Sequence, residues 1–297
     1  MFPETQRLKT RVSLHKIKRV LVLPLTDSDN DKFIDSVSSF GNDVESCCLL
    51  FSSHAVLHKT SGIVFAPKGS VPADNVIIVA DPKHTFFKIL SWLYKNIGFD
   101  DLFASNISKK AEIDDTAKIS RSVTISDGCL IGPGVVIYPN VYLGKNCVVE
   151  ANSVIGSAGF GVMRNSDATA MVPHIGGVQI HDNVRIGALC TIDRATMGLT
   201  NIGCYTKVDD KVHVAHNCQI GSRNIICAGA NLGGSVVIED DVWIGLGCSI
   251  RQKIKIHSNA VIGIGANVFH DVKPGVEIFG YPSKVTPKTS GLSERLN

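Results

Sequence analysis

Aliphatic residues recur at every sixth position between Ile113 and Val268. The frame opens with Ile113, Ile119, Ile125, Ile131, Ile137, Leu143, Val149 and Ile155. It resumes at Ile180, Ile186 and Ile192. After a second break it runs through Ile202, Val208, Val214, Ile220, Ile226, Leu232, Ile238, Ile244, Ile250, Ile256, Ile262 and Val268. Two positions earlier sits a small or medium residue, such as Val135, Cys147, Cys190, Ala230 or Val242, and Gly often follows the aliphatic. A period of six suits a parallel β-helix of short strands and tight corners. Three hexapeptides then make one triangular coil, and successive coils stack about 4.8 Å apart. Asn140, Asn146, Asn152 and Asn217, with the glycines, suit the corner dihedrals. Amphipathic strands in a sandwich would not hold one frame over so many units.

The first hundred residues lack this frame. Apolar runs at 20–23, 48–51, 62–65 and 76–79 predict short buried strands. Asp81-Pro82 predicts a helix start, an N-cap followed by Pro at the first position, with Phe86, Ile89, Leu90 and Leu93 on one face. The expected organisation is a small α/β domain over 1–110, a β-helix over 111–272 and a tail over 273–297, mainly β. Residues 103–110 read as the link. The β-helix is interrupted between Ile155 and Ile180 and between Ile192 and Ile202, and loops on a rigid scaffold are places for binding residues.

Composition narrows the function. The chain has 297 residues, 44% of them hydrophobic and 19% charged, with a formal net charge of +3. That excess is too small to argue for nucleic acid, and no basic run is interleaved with aromatics. Of nine cysteines, Cys129, Cys147, Cys190, Cys218 and Cys248 fall in the small inward slot of a hexapeptide, where a thiol packs as a small hydrophobe. None lies in a zinc-type CxxC pair, and Cys47 and Cys48 are adjacent in an apolar run. No metal and no permanently bound cofactor is expected, and a reducing cytoplasm is. After a basic opening, the apolar run at 20–25 is too short for a signal segment or a membrane span, and it reads as a buried strand.

Most of the ten histidines have no partner that spacing can name. His174, His181, His257 and His270 fall in loop or outward positions. His213 and His216 differ because the frame fixes their direction. With Val214 inward, His213 faces outward and His216 sits near a corner. An outward His followed by Asn217 is a candidate general base if another subunit closes over it; solvated surface residues are the alternative. Asp210 lies six residues before His216, hence one face earlier on the same coil, and Asp209 is beside it. Arg194 or Lys207 are candidates to hold phosphate.

At VDDKVHVAHNCQIG the chain resembles the UDP-3-O-acylglucosamine N-acyltransferases of the lipid A pathway, which are hexapeptide-repeat acyltransferases. IGSAGFG (155–161) is similar to the family's IGSDGFG, and VPHIGGVQIHDNVRIGALCTIDRAT (172–196) follows its next block. The resemblance implies a left-handed β-helix, a homotrimer with active sites between subunits, and His216 as catalytic base. It implies an acyl thioester, from coenzyme A or acyl carrier protein, running past Gly233 and Gly234. Candidates for binding a nucleotide-linked amino sugar are Asn217, Asp193, Arg194, Phe160, Gly161 and Asp209.

The chain departs from the family at three places. Ala158 replaces an Asp, Lys253 replaces the second motif histidine, and Phe51 lacks the Tyr that completes the family's uracil grip. GYPSK (280–284) resembles the GNPAK turn of coenzyme-A-dependent sugar acetyltransferases, and the short tail beyond it opens with Pro and Gly interruptions. The expected function is transfer of a short acyl group, acetyl first, from coenzyme A to the amine of a nucleotide-linked amino sugar. The alternative is the lipid A enzyme itself, with a 3-hydroxyacyl carrier protein donor. A catalytically silent trimeric scaffold is a third reading, and His216-Asn217 argues against it.

Overall fold

The six-residue frame folds as a left-handed parallel β-helix, described here from a computed structural model. Short strands turn through three sheets in rotation. Leu130–Ile131 pairs with Val148–Val149 on the first face, Val136–Ile137 with Val154 and Ile155 on the second, and Val141–Leu143 with Val178, Gln179 and Ile180 on the third. The description covers residues 6–25, 29, 31–38, 48–52, 54, 62–71, 73, 75–164, 169–280 and 284–286. The chain divides into two compact units. The first comprises Met1–Leu102, Phe160–Gly176 and Thr196–Gly198; the second comprises Phe103–Gly159, Gly177–Ala195 and Leu199–Asn297.

In the second unit the in-frame aliphatics form the core. From Ile125 to Val268 all are buried, while Ile113 and Ile119, near the open end, are partly so. Each fully buried aliphatic stabilises the stack by roughly 1.5–3 kcal/mol. Cys129, Cys147, Cys190, Cys218 and Cys248 are fully buried in the same core, and the described cysteines form no disulfide. The frame starts earlier than the sequence indicated. Asn106–Ile107 is already a strand, paired with Thr124 and Ile125, so residues 103–110 form coil rather than link. Ile107 is hard to read as core because it ends its sheet, and it is exposed. At the other end Ile278, outside the six-residue frame, extends the stack past Val268 by pairing with Ile262.

The corners show why Gly and Asx residues alternate there. Asn140, Asn146, Asn152 and Asn217 have φ of 64, 54, 58 and 62°, the left-handed region that Asn tolerates better than most side chains. Asp182, Asp210 and Asp240 each reach to the preceding coil and accept a backbone N–H, from Lys145, Ala188 and Ser222 at 2.7 Å. A Cβ on Gly144, Gly187 or Gly221 would collide with those carboxylates, so the glycine of one coil and the aspartate of the next work as a pair.

The first unit carries a five-stranded sheet in the order β1 (Gln6–Ser13), β2 (Phe33–Val37), β3 (Cys48–Phe51), β4 (Ile63–Ala66) and β5 (Val76–Ile78). The first pair is antiparallel and the others are parallel. Helix α2 (Pro82–Asn96) begins at Asp81, whose side chain accepts the His84 N–H at 2.9 Å, and buries Phe86, Ile89, Leu90 and Leu93. The strand expected over 20–25 is not there. Val20 and Leu21 instead end helix α1 (Leu14–Leu21), and Val22 caps it in the left-handed region. The Ser13 side chain accepts the Lys16 N–H, and Leu14, Ile17 and Leu21 share one face at helical spacing, which outweighs the local apolar run.

The two interruptions of the β-helix also belong to this unit. Val162–Arg164 and Thr169–Met171 pair as a hairpin. Val172 and Ile175 are buried in the same cluster as Phe86 and Leu90, with Met163 and Met197 packed against it. His174, read as a loop or outward residue, is buried, with Nδ1 3.0 Å from the Val172 carbonyl. Cys47, most of the stretch after Phe51, and Tyr281–Ser283 with the chain beyond Thr286 lie outside the described residues. The GYPSK comparison therefore falls largely there. Among the described residues no helix is long and apolar enough to cross a membrane.

Candidate active site

His216 lies at a corner of the second unit, two residues past the inward Val214. Its backbone is fixed from both neighbouring coils. The His216 carbonyl accepts the Ser235 N–H at 2.9 Å, and the next residue, Asn217, donates its N–H to the buried Thr200 hydroxyl at 2.9 Å. The ring is oriented as well. Nδ1 lies 2.9 Å from Asn217 Oδ1. With the amide oxygen accepting, Nδ1 carries the proton and Nε2 presents its lone pair. That edge of the ring lies over Gly234. A Cβ there would stand 2.8 Å from Nε2 and 2.9 Å from Cε1, so the imidazole holds its place because the next coil has no side chain.

Beside it is a second polar cluster. Asp193 follows the inward Ile192, which pairs with Val214, and it is buried. Ser157 donates to Asp193 Oδ1 at 2.8 Å. His213 faces outward as expected, but not into open solvent alone. Its Nδ1 is 2.7 Å from the Thr191 hydroxyl and its Nε2 is 3.9 Å from Asp193 Oδ2. Burial pushes the Asp193 carboxyl above its ordinary range, opposed by the Ser157 hydrogen bond and by positive charge on His213 and His216. Under the same corner, burial pushes the Cys218 thiol up to about 12, an inert group.

The other candidates divide. Arg194 follows Asp193 and turns the other way: its Nε donates to the Gly156 carbonyl at 2.6 Å and its guanidinium lies 5.9 Å from the Tyr138 ring centre. Gly156, with φ of 85°, sits where the register between the two strands shifts, and this lets Ser157 come opposite Asp193. Gly233 makes room for the backbone of the following coil, since a Cβ would meet Gln252 N at 2.6 Å. Lys253, two coils beyond His216, donates its N–H to the Gly234 carbonyl.

Asp209 is not brought to His216. It caps its own corner, one face away, accepting the Asp210 N–H at 2.9 Å and the Ala228 N–H at 3.1 Å. Lys207 spans to the Asn183 carbonyl at 2.7 Å. Phe160 and Gly161 belong to the first unit, where Phe160 is exposed and Gly161 fits against the His174 ring. Phe51 packs its ring 5.0 Å from Phe86 and 5.7 Å from Phe87. Among the described residues no group of three or more His, Cys, Asp or Glu side chains is arranged to hold a metal.

The residues reasoning from sequence passed over are Ser157 and Thr191. Thr191 and His213 are 22 residues apart, not the 18 of three hexapeptides, because the second interruption adds four. Counting in sixes hides that stack.

The repeats themselves match known families. The bacterial transferase hexapeptide model (six repeats) matches residues 122–157 and 199–234, and the hexapeptide repeat of succinyl-transferase matches 235–270. The chain carries these transferase repeats and resembles the UDP-3-O-acylglucosamine N-acyltransferases. One of that name from Caulobacter sp. (strain K31) is 36% identical over 136 residues, 46% of this chain and 40% of that protein. Another, from Methylorubrum populi, is 38% identical over 130 residues, 44% of this chain and 37% of that protein. The matched stretch thus spans well under half the length of these relatives. Among solved structures, UDP-N-acetylglucosamine acyltransferase from Francisella novicida is 26% identical, with 64% of this chain and 73% of that one covered and a TM-score of 0.43.

Proposed function

We infer that this protein is an acyltransferase that moves an acyl group from a thioester to the amine of a nucleotide-linked amino sugar, with His216 as general base. The observation that carries this reading is the His216 corner. The ring is held by Asn217 through Nδ1, and its Nε2 edge lies over the bare Gly234 backbone. In the step proposed, the sugar amine attacks the thioester carbonyl and a C–N bond forms. Nε2 takes the proton the nitrogen loses. The C–S bond then breaks, and the leaving thiolate takes that proton from the imidazolium. Amide and free thiol are the products, and no oxidant or metal enters the balance.

The names of the relatives favour UDP-3-O-acylglucosamine as acceptor over the acetyl reading. Two observations keep the second reading in the test: Lys253 stands in place of the family's second histidine, and Phe51 is engaged with Phe86 and Phe87. We place the protein in the cytoplasm as a homotrimer, in which a neighbouring β-helix walls off the corner from water. The test is a thioester-release assay with UDP-3-O-acylglucosamine and a panel of amino-sugar nucleotides. It is run once with 3-hydroxyacyl carrier protein and once with acetyl-coenzyme A. Release from the carrier protein alone supports the lipid A reading, and release from acetyl-coenzyme A alone supports the other. Release with neither, from protein that sediments as a trimer, overturns both.

A further inference from the structure

The pairing of Ile192 with Val214 sets Asp193, the residue after Ile192, on the strand beside the His216 corner. Asp193 lies on the preceding coil, buried, with Ser157 donating to one carboxylate oxygen at 2.8 Å and His213 Nε2 3.9 Å from the other. His213 is itself held by Thr191 at 2.7 Å. Three side chains, Ser157 and His213 directly and Thr191 through His213, therefore fix one buried carboxylate. Burying a carboxylate is unfavourable unless it is paired and hydrogen-bonded. A core without it would be more stable, so the cluster calls for a reason beyond packing.

We propose that Asp193 is a positioning residue for the His216 chemistry, held by Ser157, His213 and Thr191 so that its negative charge stabilises the imidazolium formed when His216 takes the amine proton. The inference rests on the reading of His216 as general base. It also changes the standing of His213, which outward placement alone would make a bystander.

The surroundings are consistent with this charge arrangement. The charged or titratable groups near Asp193 are the two imidazoles and the buried Cys218 thiol. Arg194, the adjacent cation, directs its guanidinium to the Gly156 carbonyl and the Tyr138 ring. On the far side of His213 the next coil presents the uncharged Asn231, and beside His216 it presents Gly233 and Gly234. A positive charge on either imidazole favours the ionised Asp193 carboxylate.

The test compares Asp193→Asn, His213→Gln, His213→Ala and His216→Ala across a pH series, using the donor and acceptor pair that the release assay identifies. Asparagine keeps the shape and the Ser157 hydrogen bond but removes the charge. The acidic limb of the kcat/KM profile should move to lower pH in Asp193→Asn, with kcat reduced about tenfold. His213→Ala should lower kcat about tenfold, and His213→Gln, which can still bridge Thr191 and Asp193, should recover most of the loss. An unmoved limb in Asp193→Asn overturns the inference. So does a rise in acceptor KM with kcat and the limb unchanged, which would make Asp193 a substrate contact. If His216→Ala keeps full activity, the general-base reading fails instead, so the two failures are distinguishable.

Discussion

Asp210 and His216 occupy equivalent corner positions of one coil, six residues apart, and they are used in opposite ways. Asp210 turns back. Its carboxylate accepts the Ala188 N–H of the preceding coil, and Gly187 leaves the space for it. His216 turns forward over Gly234, and its Nδ1 lies 2.9 Å from the Asn217 side-chain oxygen. Both depend on a glycine in a neighbouring coil. In one case the gap accommodates a carboxylate that joins coils; in the other it accommodates an imidazole ring. A carboxylate that holds a backbone N–H of another coil is structural; an imidazole packed over a bare backbone is a candidate for chemistry.

The largest way to break this contrast is His216→Ala. Turnover should fall roughly 10²- to 10⁴-fold, the scale of losing a general base, with the thermal midpoint unchanged. A comparable loss of folding stability would place His216 on the structural side with Asp210. Next comes Gly234→Ala. The new methyl group cannot coexist with the ring, so kcat should drop about a hundredfold through misplacement alone. A crystal structure of the variant should show the imidazole displaced; an unmoved ring with normal turnover would refute the role given to Gly234.

Asp210→Ala sharpens the other side. Losing its hydrogen bond to the Ala188 N–H should cost about 1 kcal/mol in chemical denaturation, with kcat/KM of the folded protein unaltered. The smallest effect expected is in stability against pH for Asp193→Asn. Because burial raises the Asp193 carboxyl, the unfolded chain releases that proton at lower pH than the folded one does. Its favourable contribution is complete below the unfolded carboxylate range and is lost as pH rises through the folded value. The asparagine variant should therefore melt higher than the parent at neutral pH, with the difference vanishing in acid. A difference that instead grows in acid would reverse the sign assigned to Asp193.

Much of this was legible beforehand because a β-helix writes its inward direction into the sequence. Every in-frame aliphatic from Ile125 onward is buried, and so are the five inward cysteines, since a strand's alternation leaves those positions no other side. The position of His216 followed from the same frame. Its companions did not. Thr191 and Ser157 reach His213 and Asp193 across the interruptions, where the count of residues per coil changes. The helix at Leu14–Leu21 was hidden by a run of apolar residues, although Ser13 and the spacing of Leu14, Ile17 and Leu21 mark it. The contribution of Val172 and Ile175 to the first unit's core was beyond any periodicity, because it depends on partners more than eighty residues away.

The stack of coils has a consequence for how the protein comes apart. The strand bearing His213 and Val214 has three strands on one side of it in its sheet and four on the other. In such an array each layer contacts only its neighbours, so opening begins at the ends and proceeds inward layer by layer. The His216 corner is thus among the last regions to loosen. Loss of an end coil by proteolysis or fraying removes one layer of cover from it without touching a residue that holds the imidazole. Amide exchange should be slowest around Asn217 and Ser235 and quicken in steps toward Ile107 and Ile278.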